Sequence, residues 1–318
     1  MNFVSRTSAD TNEENESSIS SILEDLAEKA DIVIDKQAKQ RNLDKSLVYQ
    51  RLPPIDICVF GRSGIGKSQL IKAITHIDIP TSAQIDHVTQ TLTEATTTIG
   101  SLKFRFWDSK GIDNWLDIGS IDNLFNEMRE RKIKPIFVIY CAAAGGRVDS
   151  DIVAAILKQF QTTNILICYV ITNIYAANDI QLQEQIDGGR RIMDNIFQTK
   201  PIANGRFCFE YRNTSDDNDD SIPNRQGILV GVNSCPFTSM MGSAPICNIY
   251  ELMNFLAGNL NDEDFSKFVA LTMNNRDFWN RASDAVTTRL LRVQKFFDQM
   301  KFQVAAFVKK LFRKEDTT

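Results

Sequence analysis

The sequence predicts an α/β fold of three layers, with a mostly parallel sheet in the middle and helical extensions at both ends. Three observations carry this. Short apolar runs alternate with stretches of helical period through the middle of the chain. Several of those runs are apolar at consecutive positions, the pattern of strands covered by helices on both faces. A glycine-rich turn lies between the first run and the first helix and marks where the alternation begins.

Residues 1–18 are rich in Ser, Thr, Asn and Glu and hold too few apolar side chains to offset the entropy of ordering, so a disordered tail is expected. Over 19–52, Ile19, Ile22, Leu23, Leu26, Ala30, Val33 and Ile34 recur at helical spacing and predict an N-terminal helical segment, ended by Pro53 and Pro54. The α/β domain is expected over 53–258. Its elements read as strand Ile55–Phe60, a helix from Lys67, strand Leu102–Trp107, a helix near Ile121–Arg131, strand Ile136–Cys141 and helix Ile152–Phe160. Strand Ile165–Ile171, helix Gln181–Gln198 and strand Gly227–Val232 complete it. Residues 199–226 read as a surface insertion with a strand-like Phe207–Tyr211. The acidic run Asp216, Asp217, Asp219 and Asp220 within it reads as a solvated loop rather than a cation site. From 259 to 318 a helical region is expected.

The 318 residues carry 36 Lys and Arg against 40 Asp and Glu, a net charge of −4, with 43% hydrophobic and 24% charged residues. That composition excludes a disordered chain, a collagen-like repeat and a disulfide scaffold. The charge gives no signal of nucleic-acid binding. No apolar run approaches the roughly 18–20 residues of a membrane-spanning helix. The polar, acidic start lacks the basic and apolar parts of a signal peptide, so a cytoplasmic setting is expected. The six cysteines form no C-x-x-C pair, and Cys58, Cys141 and Cys168 lie inside strand-like runs. His76 and His87 have no cysteine near them, which argues against structural zinc.

The most specific signal is Gly61-Arg62-Ser63-Gly64-Ile65-Gly66-Lys67-Ser68, followed by Gln69. It satisfies G-x-x-x-x-G-K-[ST] between a predicted strand and a predicted helix. Glycines let backbone N–H groups curve around a phosphate, and the helix N-terminus adds a favourable dipole. Lys67 reaches the β/γ-phosphates, and the Ser68 hydroxyl is a ligand for Mg²⁺. Asp108, at the end of the Leu102 strand and 41 positions after Lys67, opens a D-x-x-G with Gly111. It suits the carboxylate on the Mg²⁺ side, with the Gly111 N–H facing a γ-phosphate.

With these motifs the chain resembles the translation-factor-related class of P-loop GTPases, in its Era-like, septin-like, dynamin-like and immunity-related branches, over roughly 55–235. Phe106-Trp107-Asp108-Ser109-Lys110-Gly111-Ile112 is similar to their F-W-D-x-P-G-I. Val88-Thr89-Gln90-Thr91 resembles their first switch loop, which implies Thr89 as a Mg²⁺ ligand and, with Gly111, a catalytic candidate. Thr96, Thr97 and Thr98 then read as strand residues of a hairpin leading into Leu102. Tyr140 to Asp149 is similar to a stretch in bacterial members that carries an arginine, here Arg147, which reads as touching phosphate or a neighbouring subunit in trans, or as an ordinary surface or salt-bridging residue. The resemblance implies bound GTP or GDP and a three-layer G domain.

Two departures qualify the function. Where the family has [NT]-K-x-D, whose carboxylate accepts two hydrogen bonds from guanine, this chain has Thr172-Asn173-Ile174-Tyr175, with Asp179 four residues further on. Val232-Asn233-Ser234 corresponds only partly to the next base-contacting loop. Thr172, Asn173, Tyr175, Asn233 and Ser234 are nonetheless the base-site candidates, and ATP use or weak base discrimination stays open beside GTP. At the place of the water-orienting glutamine stands Ile112, and Gly64 replaces a potassium-holding asparagine. Slow basal turnover, raised by a homodimer formed through the nucleotide face or by a partner, is therefore expected. The alternative is a pseudo-GTPase scaffold that binds nucleotide and acts through its helices.

From Val286 to Lys314, Val286, Leu290, Val293, Phe297, Met300, Val304, Val308 and Leu311 form one apolar stripe beside Arg292, Lys295, Lys309, Lys310 and Arg313. The stripe suits packing in a helical bundle, peripheral contact with an anionic membrane, or a coiled-coil or partner interface.

Overall fold

A computed structural model describes residues 21–22, 53–78, 92–99, 102–109, 118–146, 150–163, 165–212, 226–239 and 242–299. The expected tail, most of the N-terminal helical segment, the acidic run at 216–220 and the end of the C-terminal stripe lie outside them. So do Thr89, Gly111, Ile112 and Arg147.

The strands are β1 (Ile55–Phe60), β2 (Leu92–Ile99), β3 (Leu102–Ser109), β4 (Pro135–Ala143), β5 (Leu166–Thr172), β6 (Ile202–Ala203), β7 (Cys208–Arg212) and β8 (Gln226–Gly231). They form one sheet in the order β2-β3-β1-β4-β5-β8-β7-β6. The pairs β3 with β1, β1 with β4, β4 with β5 and β5 with β8 are parallel. All of β1 and β5 and nearly all of β4 is buried, as their consecutive apolar residues require. Thr96, Thr97 and Thr98 lie in β2, next to β3. A small hairpin, β9 (Phe237–Ser239) with β10 (Gly242–Ala244), follows β8.

The segment read as a surface insertion departs from expectation, because β6 and β7 extend the sheet antiparallel to β8. Residues Cys208, Glu210 and Tyr211 of β7 are buried, and Tyr211 stacks on Phe197 with ring centroids 5.5 Å apart. Burial of this aromatic pair adds to the strand-like pattern of Phe207–Tyr211 in holding β7 on the sheet.

Eight α-helices occur among the described residues: α1 (Lys67–Thr75), α2 (Ile118–Glu130), α3 (Ser150–Thr162), α4 (Asp179–Phe197), α5 (Ile249–Asn259), α6 (Asp262–Thr272), α7 (Arg276–Arg281) and α8 (Asp284–Gln299). Helix α4 opens on a capping box. The Asn178 side chain accepts from the Gln181 N–H at 2.9 Å, and the Gln181 side chain accepts from the Asn178 N–H at 3.3 Å. Its Leu182, Ile186, Ile192, Met193 and Ile196 are buried. Gly189 lets the helix approach the sheet, since a Cβ there would lie 2.7 Å from Leu229 and 2.9 Å from the Tyr169 ring.

By internal contacts the chain forms two compact units. The larger, 54–99 with 103–272, holds the sheet and α1 to α6. In the second, α7 buries Phe278 and Trp279, whose rings meet edge to face at 5.0 Å, and Val286 and Leu290 of α8 are buried. The C-terminal stripe thus begins as buried apolar positions.

One polar cluster anchors the strand that delivers Asp108. Asp56, the charged residue within β1, is 3% exposed. Its carboxylate accepts from Arg105 Nε at 2.7 Å, Arg105 Nη2 at 2.9 Å, Trp107 Nε1 at 2.8 Å and the Lys134 N–H at 3.0 Å. The Arg131 guanidinium covers the Trp107 ring at 4.3 Å and pairs with Glu127 at 2.9 Å. Strands β1, β3 and β4 are thereby tied at one level, and β3 leaves it one residue before Asp108.

All six cysteines are free, and Cys58, Cys141, Cys168 and Cys208 are buried on β1, β4, β5 and β7. Burial pushes Cys141 and Cys208 up to about 12 and raises Cys58 and Cys168 as well. A thiol with a folded pKa above its unfolded value of about 9 stabilises fully below that pH, and the contribution fades as pH rises toward the folded value. Urea midpoints should therefore fall between about pH 8 and about pH 11, and Cys→Ser changes at 141 and 208 should flatten the fall. Equal midpoints at the two pH values would contradict this.

Candidate functional site

Strand order reverses at the centre of the sheet. The chain leaves β1, builds β2 and β3 on one side and then crosses to β4, β5 and β8 on the other. The crevice at the carboxyl ends of strands beside such a reversal is where open α/β sheets bind ligands, and Gly61–Ser68 lies there. Gly61 has φ 138° and sits against β4, where a Cβ would run into the Cys141 carbonyl oxygen and lie 2.6 Å from Ile65 Cδ1. Gly66, at φ 100°, precedes α1 and faces Asn173, whose Nδ2 would be 3.2 Å from a Cβ. Both positions demand glycine for conformation, and Gly61 for space as well.

The first turn of α1 holds no acidic residue and no side-chain cap, which leaves its positive end directed at the loop. Arg62, Ser63, Gly64, Ser68 and Gln69 are exposed along the loop and first turn, while Ile65 and Leu70 anchor them in the core. Lys67 folds back over the loop. Its Nζ donates to the Gly61 carbonyl at 2.7 Å and the Arg62 carbonyl at 2.8 Å, and Asp108 Oδ2 stands 3.3 Å away. An ammonium has three donors, and here they point to the mouth of the loop and to the one carboxylate the sequence nominated. The Lys67 side chain is 12% exposed and that of Asp108 38%.

The donor set fits the groups the motif implies. A concave run of backbone N–H groups, a helix N-terminus and an ammonium match phosphate. The Ser68 hydroxyl and the Asp108 carboxylate are the hard oxygen donors that Mg²⁺ takes.

The base-site candidates come together at the same end of the sheet. Thr172, 1% exposed at the end of β5, places its hydroxyl within hydrogen-bond distance of the Ile65 and Ala142 carbonyls. Asn173 adopts the left-handed conformation, φ 54°, and its Nδ2 reaches the Ile65 carbonyl at 3.4 Å. Both residues brace the phosphate loop. Ile174 donates its N–H to the Val232 carbonyl, which brings the start of 232–234 alongside. Asn233 is held internally, with Nδ2 donating to the Cys235 and Pro245 carbonyls at 2.8 and 2.7 Å, and it bridges to Cys247 in antiparallel fashion. The Ser234 hydroxyl is buried and has no hydrogen-bond partner among the described residues.

Tyr175 is 45% exposed in the single 3₁₀ turn after β5. The Cys247 thiol beside its phenol holds its pKa above the ordinary tyrosine value, opposed by the Arg206 charge nearby. Arg206 covers the Phe207 ring at 4.6 Å. Cys247 and Arg206 gave no local sequence signal. They reach the site through the turn that joins β8 to α5, where Asn248 Nδ2 donates to the Arg206 and Gly231 carbonyls.

The model of a family described as 50S ribosome-binding GTPase matches residues 56–188. No curated protein matches the chain. Among solved structures, the chain is similar to LeoA, a bacterial dynamin GTPase from ETEC, at 13% identity and TM-score 0.39, over 94% of this chain and 48% of LeoA. It is similar to Toc33 from Arabidopsis thaliana in complex with Mg²⁺ and GMPPNP at 10% identity and TM-score 0.39, over 79% of this chain and 94% of Toc33. Translation elongation factor SelB from Methanococcus maripaludis matches at 18% identity and TM-score 0.29, over 46% of this chain and 27% of SelB. The chain thus spans under half the length of LeoA and of SelB.

Proposed function

We propose that this chain, whose residues 56–188 match the model of a GTPase family, is a divergent P-loop GTPase: a Mg²⁺-dependent GTP-binding protein that hydrolyses GTP slowly on its own and serves as a nucleotide-controlled switch. The observation that supports it most is Lys67, fixed over the loop between two backbone carbonyls and 3.3 Å from Asp108. In this reading the N–H groups of Gly61 to Gly66 cradle the phosphates, and Lys67 exchanges a loop carbonyl for a phosphate oxygen. Ser68, Asp108 and Thr89 hold Mg²⁺, which supplies charge neutralisation at the phosphates. Thr172 and Asn173 keep the loop in register with the base site. Gly111 offers its N–H to the γ-phosphate, so phosphate state acts on the segments around Thr89 and Asp108–Asp122.

Ile112 has no polar atom with which to orient an attacking water, and this supports slow turnover raised by a second copy at the nucleotide face. Turnover per chain, measured across protein concentration with Mg²⁺ and GTP, is expected to rise as copies associate. A rate that is fast and independent of concentration would overturn the self-activation. The second reading, a scaffold that binds without hydrolysis, is favoured by the same Ile112 and by Tyr175, and saturable binding with no turnover at any concentration would establish it.

A further inference from the structure

Resting on the nucleotide site just proposed, we propose that Tyr175, with Cys247 and Arg206, forms a base wall that accepts purine nucleoside triphosphates by stacking and does not select guanine from adenine. The first carboxylate after β5 is Asp179, exposed in the first turn of α4 and four residues beyond Tyr175, so the position of the guanine-reading acceptor itself holds none. Guanine presents N1–H and N2–H₂ as adjacent donors, and their reader must accept twice. At the matching place stands a phenol with the Cys247 thiol beside it, near a cation held on Phe207. A neutral phenol accepts weakly, and a guanidinium repels donors. Neither group reproduces a carboxylate toward guanine.

The turn that carries Tyr175 is tied to the Gly61–Ser68 loop through Asn173 and to the 232–234 segment through Ile174. Two residues before Tyr175, Asn173 contacts the Ile65 carbonyl of the phosphate loop. On its other side Cys247 is bridged to Asn233. Tyr175 therefore lies in the turn between the Gly61–Ser68 loop and the 233–247 bridge. Beside these neighbours it is 45% exposed, so part of the ring is open to a ligand. Every base offers a π-face, so an aromatic platform binds without distinguishing among them. The Asn233 amide does not supply the missing selection, because both of its N–H groups are spent on the Cys235 and Pro245 carbonyls.

The test is equilibrium binding of non-hydrolysable GTP and ATP analogues to the full chain in Mg²⁺, with Tyr175→Ala, Tyr175→Phe and Tyr175→Asp beside wild type. Wild type should bind the two analogues within about tenfold of each other. Tyr175→Ala should weaken both by a similar factor of about 5–10, and Tyr175→Phe should weaken neither by more than about twofold. Tyr175→Asp restores a double acceptor and should shift the ratio toward GTP by about tenfold or more. Wild-type preference for GTP above about a hundredfold, or unequal losses in Tyr175→Ala, would overturn the stacking wall and leave the nucleotide site standing. Absence of Lys67-dependent binding of either analogue would overturn both.

Discussion

Lys67→Ala is expected to weaken binding of a non-hydrolysable GTP analogue by about thirtyfold or more and to bring turnover to background. The lysine is the charge that the loop directs at its own mouth. Two of its donors engage the Gly61 and Arg62 carbonyls, and Asp108 stands 3.3 Å away. Truncating the ammonium removes its charge-assisted hydrogen bond to a bound phosphate, a loss of about 2–5 kcal/mol, and each 1.4 kcal/mol is tenfold in affinity. The variant also leaves Asp108 facing the phosphates without its counter-charge, so the loss adds repulsion to lost attraction. Lys67→Arg should not rescue, because the bulkier guanidinium cannot occupy the space between the two carbonyls that the compact ammonium fills. Undiminished affinity in Lys67→Ala, measured by calorimetry on folded protein, would contradict the assignment.

Asp56→Ala is expected to lower the free energy of unfolding by about 3–5 kcal/mol, because it removes one member of a buried ion pair and strands the other. Four donors converge on this carboxylate, from Arg105, Trp107 and the Lys134 backbone. With it gone, the Arg105 guanidinium and the Trp107 N–H have no comparable acceptor in a nearly dry setting, and a buried donor left unmade costs about 1–3 kcal/mol by itself. Asp56→Asn should cost less, since it retains one acceptor oxygen. The functional consequence lies on β3. Trp107 precedes Asp108, and a strand loosened at Trp107 delivers that carboxylate less accurately, so GTP turnover in Asp56→Asn should fall even where the protein remains folded. Urea denaturation reads the stability effect, and a change below about 1 kcal/mol would show that the cluster relaxes around its loss.

The parallel centre of the sheet was legible because its strands are apolar at consecutive positions. Ile55–Phe60 and the apolar runs within β4, β5 and β8 all appear where the runs stand. The edge was less legible. Phe207–Tyr211 reads as strand-like, yet nothing nearby in sequence says that Tyr211 will stack on Phe197 and pair its strand with β8. β6 is a two-residue, exposed strand with no pattern to detect. The β9–β10 hairpin is likewise too short for periodicity to register. At the site, Gly61–Ser68 and Asp108 could be named from residue type and spacing because phosphate and metal chemistry constrains both. Asn173 was legible as a departure from a lysine but not as a brace on Ile65. The partners of Tyr175 lie 31 and 72 residues further on, at Arg206 and Cys247, and only the folded turn before α5 brings them in.

Equilibrium titration of the full chain with a non-hydrolysable GTP analogue, in Mg²⁺ and again in excess chelator, decides whether Gly61–Ser68 and Asp108 form a nucleotide and metal site. Saturation at one nucleotide per chain in Mg²⁺, with affinity falling by about tenfold or more in chelator, is the result these residues predict. No saturable binding in Mg²⁺ at millimolar nucleotide would contradict it and leave the glycine-rich turn a structural feature of the fold.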